Sequence, residues 1–132
     1  MDDDKATSEH EDVKERLLIE GLQDWIHLTE IHTEFAFDNQ TPKRPVAEAQ
    51  QLTLNMIREL AEEGLFDLGE IVRKGHSGFE AWNLPLDEAM AKIEHAYVTN
   101  FDERWNWSFY VWLQLTEKGK ALALRLYHAD DP

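Results

Sequence analysis

The sequence predicts a single α+β domain in which helices pack on a small antiparallel sheet, with an extra helix inserted between two of the strands. Three observations predict it. Apolar residues recur at helical spacing in several stretches, and residues 105–115 alternate at the spacing of a strand. The chain has 132 residues, the size of one domain around one core. Its 42 % hydrophobic content and five tryptophans fit a packed globule, and folding at this length buries about two-thirds of the unfolded surface.

The elements follow in order. Residues 1–10 hold no apolar side chain larger than Ala6 after Met1, and composition assigns them to a disordered acidic tail ahead of a domain spanning 11–132. From Asp12 the pattern is helical. Leu18, Leu22 and Trp25 or Ile26 form one stripe, and Leu28, Ile31 and Phe35 form a second, offset from the first with Gly21 between. The offset predicts one bent helix or two short ones meeting near 24–28. Residues 38–45, with Pro42 and Pro45, read as a loop whose last residue opens a helix, where proline's missing N–H costs nothing. Val46, Ala49, Leu52, Met56 and Leu60 mark the face of that helix over 45–63. Gly64 closes it in the left-handed conformation, and Leu65 supplies the apolar contact that accompanies such a stop.

Phe66–Val72 reads as a strand, 73–78 as a turn and 79–82 as a short returning strand. Pro85 opens another helix, marked by Leu86, Ala89, Met90, Ile93, Ala96 and Tyr97, with Asn100 as its stop. Residues 105–115 form the clearest strand. Trp105, Trp107, Phe109, Val111, Leu113 and Leu115 point to the core, and Asn106, Ser108, Tyr110, Trp112, Gln114 and Thr116 point away. Thr116 caps a last helix over Glu117–His128, and there is no internal repeat.

Charge and missing residue types exclude several functions. Net charge is −14, and without the first twelve residues 21 acids still face 12 bases, a net −9. Duplex DNA is held largely by cations on phosphates, so an acidic body disfavours nucleic acid and draws basic proteins instead. With no cysteine there are no disulfides, thiolate zinc sites or cysteine nucleophiles. The acidic N-terminus is unlike a signal peptide, and no apolar run nears the ~20 residues of a membrane span. A cytoplasmic protein without membrane contact is the expectation. Ser8, Ser77 and Ser108 sit in no nucleophile elbow, and the six glycines form no phosphate-binding loop, so neither an enzyme nor a cofactor is expected.

Two segments resemble winged-helix transcription regulators of the MarR and PadR kind. Ile57-Arg58-Glu59-Leu60-Ala61-Glu62-Glu63-Gly64-Leu65 is similar to the end of their recognition helix, where a Glu-Gly-Leu turn enters the first wing strand. Leu115-Thr116-Glu117-Lys118-Gly119-Lys120-Ala121-Leu122-Ala123 is similar to their passage from second wing strand to final helix. The likeness covers about half the chain and implies a winged-helix-like domain, here with the extra helix between the wing strands. As a regulator the chain would bind DNA as a dimer joined through its first and last helices, using Lys43, Arg44, Gln50, Gln51, Asn55 and Arg58. The long helix departs from that role, because it offers Glu48, Glu59, Glu62 and Glu63 against a single Arg58. Leu84-Pro85-Leu86-Asp87-Glu88-Ala89 before an aromatic strand also resembles a segment of small bacterial proteins, which implies no function.

The candidate sites are few. His27, Glu30 and Glu34 lie at i, i+3 and i+7 and would line one helix face as metal ligands for a metal-dependent enzyme, although no second element supplies matching ligands. Tyr110 and Trp112 stand on the polar side of the expected strand and, unless a helix covers them, anchor a partner. The leading expectation is therefore a non-catalytic interaction module that neutralises a basic protein, as an immunity protein or antitoxin does. The transcription regulator is the alternative and the metal-dependent enzyme the third.

Overall fold

The computed structural model describes residues 2–72 and 78–129, with side chains from Ser8 onward. Helix α1 (Asp2–Gly21) leads into strand β1 (Ile26–His27) and helix α2 (Leu28–Ala36). A small hairpin, β2 (Phe37–Asp38) with β3 (Thr41–Pro42), precedes the long helix α3 (Val46–Glu62). Strands β4 (Phe66–Val72) and β5 (Gly78–Ala81) follow, then α4 (Leu86–Glu94), which widens into a π-helical turn over His95–Thr99. The short α5 (Arg104–Ser108), β6 (Trp112–Leu115) and α6 (Glu117–His128) complete the chain. Among the described residues the result is an α+β architecture of six α-helices with a four-stranded antiparallel sheet in the order β1-β6-β4-β5 and the separate β2–β3 pair.

Register divides the sheet into a wet and a dry face. Ile26, Leu113 and Leu68 align across β1, β6 and β4, as Leu115 aligns with Phe66, and Ile26, Leu113, Phe66 and Leu68 are all buried. One residue along, His27, Trp112 and Gly69 align on the opposite face, with Gln114 and Asp67 beside them, and the side chains there are half-buried or exposed. The core gathers Leu17 and Leu18 of α1, Ile31 and Phe35 of α2, Met56, Ile57 and Leu60 of α3, and Met90 and Ile93 of α4.

Helix α3 runs uninterrupted as its periodicity predicts. It ends in the expected glycine stop: Gly64 has φ 70°, its N–H donates to Ala61 O at 3.0 Å, and the Leu65 N–H donates to Leu60 O at 3.0 Å. Thr116 caps α6, its Oγ1 accepting from the Gly119 N–H at 3.0 Å. The offset stripes of residues 12–37 are two helices, parted by β1. Residues 38–45, read as a loop, contribute to the β2–β3 hairpin. The turn read at 73–78 lies, but for Gly78, outside the described residues, as does the acidic end at 130–132.

Two elements differ from what the pattern predicts. Helix α1 takes in residues read as tail, because its side chains find partners far along the chain: Glu9 with Lys43 and Arg44, His10 with Glu59, and Lys14 with Glu59 and Glu63. The eleven-residue strand is also corrected. Only Trp112–Leu115 pairs as strand, with Phe66–Gly69 in antiparallel register, whereas Arg104–Ser108 coils into α5. Among the described residues no helix is long and apolar enough to cross a membrane.

Candidate partner-binding surface

The helical turn of α5 decides which aromatics meet solvent. Glu103 holds its start, with the Asn106 side-chain amide donating to the Glu103 carboxylate at 3.2 Å and the Asn106 N–H donating to Glu103 O at 3.0 Å. On this turn Trp107 faces inward. Its indole N–H donates to Phe101 O at 2.7 Å, and its ring stacks on Phe101 at 5.0 Å and 13°. Trp105 faces outward and is 85 % exposed. Phe109, one helical turn further along, is 46 % exposed.

Phe109 stacks on Trp112 with ring centroids 5.8 Å apart and planes at 22°. Both rest against His27, at 5.0 Å and 5.2 Å. Along the chain, the exposed Trp105 of α5 is followed by the stacked Phe109–Trp112 pair at the wet face of the sheet, together an aromatic ridge with Trp112 half-buried. The exposed carboxylates of Asp102 and Glu103 adjoin it in the chain. Tyr110 leaves Trp112: the chain turns between α5 and β6, and Tyr110 packs edge-on against Trp82 at 5.7 Å. The two expected anchors therefore sit on different surfaces. The two-residue alternation assigns Trp105 and Phe109 to the core, and the turn of α5 carries them outward instead. Their signal is the competing helical series Phe101, Trp105, Phe109 and Trp112, at i, i+4, i+8 and i+11.

The line of His27, Glu30 and Glu34 divides between two structural duties. Glu34 is held by the Arg16 guanidinium in a two-pronged pair at 2.9 and 3.1 Å. Glu30 reaches back to the backbone N–H of His27, the residue that precedes α2, as half of a capping box. Burial pushes the Glu30 carboxyl up to about 7, and the nearby charges of Glu20, Asp24 and Glu34 add to it against the opposing backbone bond. Burial also lowers the His27 imidazole, against the pull of Asp24. His27 Nε2 lies 3.1 Å from a Glu30 carboxylate oxygen, and the buried His27 Nδ1 has no hydrogen-bond partner. Among the described residues no three His, Asp or Glu side chains form a metal-ligand group.

The DNA-binding candidates find partners within the chain. Glu9 pairs with Lys43 at 2.9 Å and with Arg44 at 2.8 Å. Gln50 is buried, its amide donating to Tyr97 O at 3.3 Å. Gln51 donates to Asn55 at 2.9 Å along α3 itself. Arg58 lies 2.9 Å from Asp87 at the start of α4 and 3.4 Å from Glu62. Each of the three cations thus pairs with a carboxylate. No family model, curated protein or solved structure matches this chain.

Proposed function

We propose that this chain is a non-catalytic, acidic interaction module that binds and neutralises a basic protein, in the manner of an immunity protein or antitoxin, on a winged-helix-like scaffold. The observation that carries the reading is Trp105. A tryptophan left 85 % exposed, four residues before the stacked pair's Phe109, is what a central interface anchor looks like before its partner arrives. Charge supports it. Glu70 and Glu80 stand directly opposite each other across β4 and β5, both exposed, a like-charge pair that disfavours the free hairpin and that a cationic partner would relieve.

The scaffold reading rests on element order. Helices, a long helix, a strand, its antiparallel partner and a last helix follow one another, with β5, α4 and α5 between β4 and β6 where the wing loop would be. The pairing of Lys43, Arg44 and Arg58 with carboxylates weighs toward a protein partner and away from DNA, since those cations are the ones a regulator would need. The test is capture on the tagged chain from its native cell, followed by titration with salt. The expected result is one dominant partner of net positive charge, whose association slows as ionic strength rises. An acidic partner, or salt-independent association, would overturn the proposal.

A further inference from the structure

A second feature lies on the opposite side of α5 and is independent of the partner surface. Between α2, the β2–β3 hairpin, the start of α3 and α5 lies a cavity of about 270 Å³. Its apolar walls are Ala36, Phe37, Pro42, Val46, Phe101 and Trp107. Trp107 is fixed there by its indole bond and its stacking on Phe101, so that part of the wall is formed in advance.

The charges at this cavity are unlike those elsewhere on the molecule. The chain carries 27 acids against 13 bases, yet Arg44 and Arg104 line this cavity and no carboxylate does. Other clefts are lined by Asp24 and Glu117 with Lys120, by Glu20, Glu30 and Glu34, or by Asp67. Arg44 spends its Nη2 on Glu9, at 2.8 and 2.9 Å from the two carboxylate oxygens, but its Nη1 is buried without a partner. An unpaired guanidinium nitrogen out of water is costly, and an anionic oxygen is the group that satisfies it best. His32 also lines the cavity, buried and bonded through Nδ1 to the Tyr97 hydroxyl, a phenol that the π-helical turn carries inward. Burial, reinforced by Arg104, lowers the His32 imidazole, so this wall offers a neutral aromatic surface.

We infer that this cavity is a binding site for a small monocarboxylic acid with an apolar body, the body lying between Trp107, Phe37 and Val46 and the carboxylate facing Arg44 and Arg104. The volume sets the size. A dry apolar cavity of roughly 150 Å³ holds benzene, so this one admits a ring or short chain with its acid group. Uncharged apolar molecules would leave the two guanidinium groups of the lining without an anion, and larger acids would exceed the walls.

The test is a ligand-observed NMR titration of the full chain with phenylacetate and with hexanoate, one arm for each kind of body, and with neutral phenylacetamide alongside. Saturable binding of at least one acid is expected, with the amide weaker by about tenfold or more. Arg104 is exposed, so Arg104→Gln should fold normally and still weaken the acid by about tenfold. Val46 is 49 % exposed, and Val46→Trp should fill the cavity and abolish binding without lowering Tm. Absence of saturable binding for both acids at millimolar concentration, or equal binding of acid and amide, would overturn the inference. Undiminished binding by both variants would place the acids elsewhere and overturn it as well.

Discussion

Trp105 and Trp107 stand two residues apart and do opposite work, which gives the sharpest contrast at the scale of single side chains. Trp107 is 3 % exposed, stacked and hydrogen-bonded, so Trp107→Ala should destabilise the fold by about 3–5 kcal/mol in a denaturant titration. Trp105→Ala should change stability by no more than about 0.5 kcal/mol, because its ring touches mostly water. Similar losses from both variants would mean that Trp105 is packed. Glu30 gives a pH signature. Its carboxyl is raised in the folded state to about 7 from an ordinary 4.5, so the native chain binds more protons than the unfolded one between those values. Stability must then fall as pH rises through that window. Glu30→Gln removes the ionisation, and its Tm relative to the parent should rise by on the order of 3 °C on going from pH 5 to pH 8, after allowing for solvent that still reaches the carboxylate. A relative Tm that is the same at both pH values would contradict the burial argument. Glu9 and Glu59 act oppositely. Burial alone would raise both, but Lys43 and Arg44 at Glu9, and Lys14 and His10 at Glu59, hold them below the usual carboxylate range. The stability they contribute is present above that ordinary range and is lost in acid.

Among the elements, the junction of α3 with α6 ties the chain's two motifs together. The Thr116 hydroxyl donates to Gly64 O at 2.6 Å, the Thr116 N–H to Leu65 O at 3.1 Å, and Lys118 Nζ to Glu63 O at 2.8 Å. The start of one helix thereby satisfies carbonyls left open at the end of the other. A Cβ on Gly119 would lie 2.0 Å from Leu65 O, so helix and strand touch only because that side chain is absent. Gly119→Ala should cost at least about 2 kcal/mol, and Gly64→Ala, at φ 70°, about 1–2 kcal/mol. Chemical denaturation checks both, and a neutral Gly119→Ala would dissolve the junction. These elements were legible because their signals are local: periodicity, a glycine stop, a threonine cap. The start of α1 was not, since it is held by ion pairs to residues 34 to 49 positions away, which composition does not record. Residues 105–115 misled for another reason. Aromatics at 105, 107 and 109 satisfy a two-residue period while those at 101, 105, 109 and 112 satisfy a helical one, and only the packing of Trp107 against Phe101 and His32 selects the helix for the first half. Hence the alternation places Trp112 off the core face, where the register puts it, and assigns the more exposed Trp105 and Phe109 to the core.

Over the whole molecule, charge and exposed aromatics point to one class of partner. A net charge of −14, with Lys43, Arg44 and Arg58 each facing a carboxylate, leaves little to hold a phosphate backbone. A mobility-shift titration with random duplex DNA at physiological salt should therefore show no binding, and a micromolar midpoint that weakens steeply with salt would favour the regulator instead. With a basic protein as the proposed partner, long-range charge would set the rate of encounter and the aromatic ridge how long the complex lasts. The most direct measurement is the affinity of the captured partner for the parent chain and for the Trp105→Ala, Phe109→Ala double variant. The account predicts a Kd raised by about a hundredfold or more, mostly through faster dissociation, with thermal unfolding unchanged. A Kd within about threefold of the parent would contradict it, because the ridge would then carry none of the binding.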